Sequence, residues 1–183
     1  MIIILNGCSS SGKSSIIKAV QHLSNKPFLN LGIDGLFSMM PDRYVKSGDM
    51  ASEGFYFAKA KNGGLLVKNG PVGDLAIKTL PSLVKNIADS GLDVLVDEVI
   101  FEKWMMELYI STLKGHDVHI IAITCDLNIM IEREILRGNR MNGIALAQFE
   151  LMQQFVYPYD MTIDTTHDSP FTCAKKILSF VNK

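Results

Sequence analysis

Gly7-Cys8-Ser9-Ser10-Ser11-Gly12-Lys13-Ser14 fits the pattern G-x-x-x-x-G-K-[ST] in full, directly after the apolar run Ile2-Ile3-Ile4-Leu5 and directly before a helical pattern. In that setting the segment reads as a phosphate-binding loop. Its glycines let successive backbone N–H groups curl around phosphate oxygens, Lys13 supplies a point charge, and Ser14 offers a hydroxyl to Mg²⁺. The plain alternative is a flexible Gly/Ser linker, but a linker is not gripped between an apolar strand and an amphipathic helix. A nucleoside triphosphate is the expected ligand, with Gly7, Cys8, Ser9, Ser10, Ser11, Gly12, Lys13, Ser14 and Ser15 around its phosphates.

The rest of the chain alternates. Ile16, Ile17, Ala19, Val20 and Leu23 recur at helical spacing up to Ser24-Asn25, and Pro27 opens an extended run from Phe28 to Ile33, with Asp34 following at once. Asp93 to Val96 and Val118 to Thr124 are short runs rich in β-branched residues, each preceded by a helical stretch, and Met161 to Ile163 is a weaker fifth run. Strands alternating with helices predict a three-layer α/β P-loop fold, with a five-stranded parallel sheet covered by helices on both faces. The length of 183 residues suits a single domain, 1–183. Helices are expected over 75–90, 127–137 and 170–181; Pro81 either kinks the first or marks its true start, and Pro170 suits a first turn. Phe55 to Ala60, then Asn62-Gly63-Gly64, then Leu65 to Val67 reads as a hairpin with Gly70-Pro71 as its exit. The stretch 42–70 is therefore expected to be an insertion beside the nucleotide site.

Bulk composition narrows the partners. A formal net charge of -1 gives no support for wrapping nucleic acid or gripping an anionic membrane, so neither partner is expected and small molecules come first. Ile2 to Leu5 is too short for a secretory apolar region, and no run is long enough to span a bilayer. Cys8, Cys125 and Cys173 form an odd count without paired spacing, which points to a reducing cytoplasm. Cys8 is open to two readings: an acidified thiol among the N–H groups that open a helix, or simply a variable loop position. His22, His116 and His119 have no metal-ligand spacing.

Ligands of an open parallel sheet lie at the carboxyl ends of its strands. Asp34 follows the second strand and Asp97-Glu98 the third. Phosphoryl transfer requires a divalent cation at the terminal phosphates, a carboxylate to hold it, and a base for the acceptor hydroxyl. Ser14 and Asp97 are assigned to the metal and Asp34 to the base, with Glu98 in reserve for either and as an acceptor contact. A solvated turn or helix cap is the ordinary reading of such acids. Arg133, Arg137 and Arg140 are spaced four and three apart, within roughly a sixth of a helix circumference. They read either as a solvated stripe or as a lid over 137–147, hinged at Gly138 and Gly143, that swings arginines onto the γ-phosphate. Asp164-Thr165-Thr166-His167 follows the last strand, near where a nucleotide base could rest, and Thr165 is assigned there; His167 is read as a loop residue rather than a catalytic acid. Met39, Met40, Phe55, Phe57, Trp104 and Met106 are candidates for an apolar acceptor wall or for ordinary core, with Met40 and Phe57 assigned to the acceptor.

The segments IILNGCSSSGKSS, LGIDGLFSMMP, VLVDEVI, EREILRGNR, the Gly143 to Gln148 stretch and IDTTHDSP occur in an order that resembles the chloramphenicol phosphotransferase-like P-loop kinases nearly end to end. The resemblance implies an ATP- and Mg²⁺-dependent kinase acting on a hydroxyl of a small organic molecule, with chloramphenicol as one candidate and antibiotic resistance as one possible role. It implies that Asp34 is the acceptor-hydroxyl base and that Lys13 and Ser14 contact phosphate and magnesium. It also implies lid roles for Arg137 and Arg140, and adenine stacking as an alternative role for Arg133. Two other readings stay open: a kinase of a nucleoside, nucleotide or nucleic-acid 5′-hydroxyl, and a non-catalytic nucleotide-binding switch.

Overall fold

The computed structural model describes residues 1–138 and 141–182. Its central strand, β1 (Ile2–Asn6), is wholly buried, as expected of a continuous apolar run in the middle of a parallel sheet. Around it lie β2 (Phe28–Gly32), β6 (Asp93–Glu98), β7 (Val118–Thr124) and β8 (Met161–Asp164), in the order β2-β6-β1-β7-β8 with every pairing parallel. Side chains alternate across a strand, so β1 feeds two cores. Ile3 and Leu5 pack with Ile16, Ile17 and Val20 of α1 (Lys13–Leu23) and with Cys173, Ala174 and Ile177 of α7 (Pro170–Val181). Ile2 and Ile4 pack with Leu80 and Val84 of α3 (Pro71–Asp89) and with Met106 and Tyr109 of α4 (Lys103–Thr112). The expected three-layer α/β architecture is the observed one.

Helix limits follow local chemistry. Asp126 caps α5 (Leu127–Arg137) by accepting from the Asn128 and Ile129 N–H groups, and Gly138, at φ 63°, closes it in the left-handed region that glycine tolerates. Ser169 caps α7 ahead of Pro170, so both helices cover the predicted residues. α3 differs: it begins at Pro71, four residues before the predicted start, and carries Pro81 inside it. Pro71 occupies the first helical position, where a missing N–H costs nothing, while Pro81 is buried within the helix and forgoes a bond to the Ile77 carbonyl. Two further helices, α2 (Ile33–Met39) and α6 (Ile144–Gln154), carry site residues.

The hairpin is present as β4 (Phe55–Lys59) and β5 (Leu65–Asn69), antiparallel, with β3 (Val45–Lys46) parallel to β4 in a second sheet. Among the described residues no helix is long and apolar enough to cross a membrane.

The polar residues that end β1 and β6, Asn6 and Glu98, are buried at the carboxyl edge of the main sheet. Asn6 accepts from the Ile100 N–H at 2.6 Å and donates to the Ile100 carbonyl and the Tyr159 hydroxyl, each at 2.8 Å. Glu98, 2 % exposed, accepts from the Tyr109 hydroxyl at 2.8 Å and from the Val99 N–H at 3.1 Å. Burial, aided by the Asp97 charge and opposed by these hydrogen bonds and by Lys13, pushes the Glu98 carboxyl up from 4.5 to about 7. Between those values the folded chain binds the proton more tightly than the unfolded chain. The group therefore costs stability above the higher value, and the cost fades as pH falls toward the lower one. The gap is worth about 3 kcal/mol. Denaturant unfolding at about pH 8 and about pH 5 should show wild type gaining that order of stability, relative to Glu98→Gln, on acidification; parallel behaviour of the two proteins would contradict the assignment.

Candidate active site

A cavity of about 960 Å³ opens at the carboxyl edge of the main sheet. One side is the phosphate loop, where Ser9, Ser10, Gly12, Lys13, Ser14 and Ser15 all face it. The loop is tightly wound: Gly12 has φ 98°, and Ser10 holds φ 63°, a conformation that side chains other than glycine rarely adopt. The Ser10 and Ser11 hydroxyl oxygens are buried with no hydrogen-bond partner among the described residues. Buried polar atoms are normally satisfied, so a strained loop with orphaned hydroxyls fits an anionic ligand. Lys13, 6 % exposed, donates from Nζ to the Gly7 and Cys8 carbonyls at 2.8 and 2.9 Å and lies 3.5 Å from Asp97 Oδ1. Ser14 Oγ donates to Asp97 Oδ2 at 2.6 Å. Asp97 thus touches both the loop lysine and the loop serine.

Mg²⁺ typically binds through one or two carboxylates plus substrate phosphates and water. Ser14 and Asp97 form such a partial set, and among the described residues no group of three or more His, Cys, Asp or Glu forms a protein cage. Glu98 also lines the cavity but turns into the core toward Tyr109. Cys8 departs from the acidified-thiol reading: burial outweighs the attraction of Lys13 and pushes the thiol up to about 11.

Two strands away from β1, where β2 ends, the first turn of α2 presents Asp34, with Phe37 one turn on; both line the cavity. Phe37 meets Phe55 of β4 edge to face, with ring centroids 4.4 Å apart. These two rings stand where the sequence reading put Met40 and Phe57, neither of which lines the cavity. Met40 has left the helix in an extended conformation (φ -76°, ψ 142°), so the face shared by Asp34 and Phe37 ends before it. Phe57 lies farther toward the hairpin turn, and its cross-strand partner Val67 reaches the cavity instead. Trp104, with Lys78 Nζ 5.9 Å from its ring centroid, completes a mixed apolar and charged wall.

Arg133 departs from the solvated-stripe reading. Its guanidinium donates to the Thr165 hydroxyl at 3.1 Å, to the Thr165 carbonyl at 2.7 Å and to Cys125 Sγ at 3.3 Å, while Thr165 Oγ1 donates to the Ser11 carbonyl at 2.7 Å. It is tied through Thr165 to the phosphate loop and still faces the cavity. Arg137, the last residue of α5, also lines the cavity, whereas His167 is exposed and does not. Arg140 lies outside the described residues. Gln148 of α6 was not singled out individually: its Oε1 accepts from the Ser9 N–H at 2.6 Å, across 139 positions of sequence. Only its place in a family-like stretch could have drawn attention to it.

Known proteins resemble this chain in sequence and in fold. The chain is 26% identical over 170 residues, 90% of its own length and 75% of the relative's, to the Mycobacterium tuberculosis (strain ATCC 25618 / H37Rv) protein named "Putative O-phosphotransferase Rv2636". Among solved structures, the Mycobacterium tuberculosis APS kinase CysC in complex with AMPPNP and APS superposes with a TM-score of 0.65 at 16% identity, covering 100% of this chain and 97% of that one. The shikimate kinase from Acinetobacter baumannii in complex with shikimate gives 0.61 at 15% identity, covering 99% and 92%. At such identities the structural likeness establishes the P-loop kinase fold alone. The family model described as chloramphenicol phosphotransferase-like protein matches residues 1–182, so this chain belongs to the chloramphenicol phosphotransferase-like family.

Proposed function

We propose that the protein transfers the γ-phosphate of Mg²⁺-ATP to a hydroxyl of a small organic molecule that lies between Asp34 and the phosphate loop. The observation that carries this reading is that Lys13, Ser14, Asp97 and Asp34 all line one cavity. Phosphoryl transfer is mostly positioning and charge stabilisation, and each residue has a part in it. The loop N–H groups and Lys13 hold the phosphates. Ser14 and Asp97 are placed to hold the cation, which when bound neutralises charge between the terminal phosphates. Arg137 extends positive charge from the end of α5, joined in this reading by Arg140. Arg133, held beside the loop by Thr165, lines the nucleotide side.

Asp34 accepts the hydroxyl proton as the acceptor oxygen attacks phosphorus. Its place in the cavity lining, with the Phe37–Phe55 pair, suits an acceptor that presents an alcohol on an apolar or aromatic body. Chloramphenicol belongs to that chemical class, as do many other alcohols. Closure around the acceptor would keep water from competing with it.

The test is incubation of purified protein with Mg²⁺-ATP and a panel of hydroxyl compounds that includes chloramphenicol, read by mass spectrometry. Phosphate gain by at least one alcohol is expected; ATP binding with no transfer to any of them would favour the switch reading. Asp34→Asn should lower kcat by about 10² to 10⁴-fold, the usual worth of a general base, with ATP affinity held within about twofold. Undiminished turnover would remove Asp34 from the base role. Lys13→Ala should weaken ATP binding by about tenfold or more and lower kcat further, because its charge serves both ground and transition states. Calorimetry with single-turnover kinetics separates the two effects, and unchanged binding would contradict this placement of Lys13.

A further inference from the structure

Helix α6 is fixed from three directions, and one of the three contacts reaches the phosphate loop. At its start, the buried carboxylate of Glu134 accepts from the Gly143 N–H at 2.6 Å and from the Ala145 N–H at 3.0 Å, so α5 caps α6. The hairpin turn grips the same end: the Leu65 N–H donates to the Gly143 carbonyl at 2.8 Å, and Asn62 Nδ2 donates to the Leu146 carbonyl at 3.1 Å. One turn farther on, Gln148 reaches the phosphate loop, its Oε1 accepting from the Ser9 N–H.

Gln148 is an uncommon residue for this position. Its neighbours Ile144, Ala145 and Ala147 are buried and apolar, and Gln148 itself is 8 % exposed. A buried amide is costly unless its donors and acceptor are used. The acceptor is used on Ser9. The amide nitrogen has no partner among the described residues, and Gln148 lines the cavity shared with Lys13 and Arg137. The side chain therefore holds the opening of the phosphate loop with one atom and keeps two N–H donors for whatever enters.

We propose that Gln148 is a positioning residue for the terminal phosphate: Oε1 fixes the loop backbone at Ser9, and the Nε2 donors engage the γ-phosphate of a bound triphosphate. The inference rests on the phosphotransfer reading above and adds to it. Because α6 is clasped by the hairpin that contributes Phe55 and Val67 to the acceptor wall, Gln148 also links acceptor-side structure to the phosphate group being transferred.

Binding of ATP and of ADP, without acceptor, to wild type, Gln148→Glu and Gln148→Ala by calorimetry tests the proposal. ADP has no γ-phosphate, so the ratio of the two affinities isolates the claimed contact from any general loosening of the loop. Gln148→Glu keeps an oxygen for Ser9 but replaces the donors with negative charge. It should lower ATP affinity by about tenfold or more and ADP affinity by less than about threefold, as expected for loss of a hydrogen bond to a charged group. Gln148→Ala should lower the ratio by about threefold or more on the same ground, which keeps the test available if the glutamate variant fails to fold. A ratio within about twofold of wild type in a folded variant would overturn the proposal and leave Gln148 a structural contact. Failure of wild type to bind ATP would remove the phosphotransfer reading and this inference with it, whereas an unchanged ratio in a protein that binds ATP removes only the inference.

Discussion

Parallel pairing of β1 with β6, in a register that sets Leu5 against Asp97 and Asn6 against Glu98, is the constraint from which the site follows. Both strands point the same way, so the loop that continues from Asn6 and the acids that end β6 arrive together at one edge. β2 joins β6 with Gly32 opposite Asp97, which delivers Asp34 two residues later to the same level. That approach is tight: a Cβ on Gly32 would lie 2.3 Å from the Asp97 carbonyl oxygen. Glycine is needed there for space and not for its dihedral freedom, and a larger residue would force apart the strand ends that carry both acids.

The same alternation separates two adjacent carboxylates into different environments. Asp97 shares the face of Leu95 and turns toward α1, where it meets Lys13 and Ser14 at 18 % exposure. Glu98 shares the face of Val96 and turns toward α4, where it is sealed against Tyr109 and holds its proton near neutrality. One carboxylate stays in contact with the phosphate loop, and the other becomes a polar element of the core that still borders the cavity. Residue type alone does not distinguish them; the period of two along a strand does.

The parts of this arrangement legible in the sequence are those governed by local chemistry. The phosphate loop announces itself by spacing, and α5 and α7 end where their caps and flanking residues say, because Asp126, Gly138, Ser169 and Pro170 each act on their immediate neighbours. Pro81 misleads, since a helix breaker in isolation is tolerated in a helix held by the sheet. The aromatic lining of the cavity is harder still. Choosing Phe55 over Phe57, and Phe37 over Met40, depends on where α2 unwinds and on how far the hairpin extends past the cavity, which are tertiary facts. Thr165 was placed near the nucleotide by strand order, but its clamp on Arg133, like the reach of Gln148 to Ser9, joins positions far apart in the chain and leaves no periodic trace.

The central claim is that the Asp34 carboxylate faces the terminal phosphorus of a triphosphate held by residues 7–15, with room for an alcohol between them. A crystal structure with Mg²⁺ and a non-hydrolysable ATP analogue measures this directly. The account predicts the analogue's γ-phosphate at Lys13, with Asp34 across an open gap about the width of one hydroxyl group, roughly 3 Å from each reacting partner. A γ-phosphate directed away from Asp34, or a gap closed to any second molecule, would contradict it.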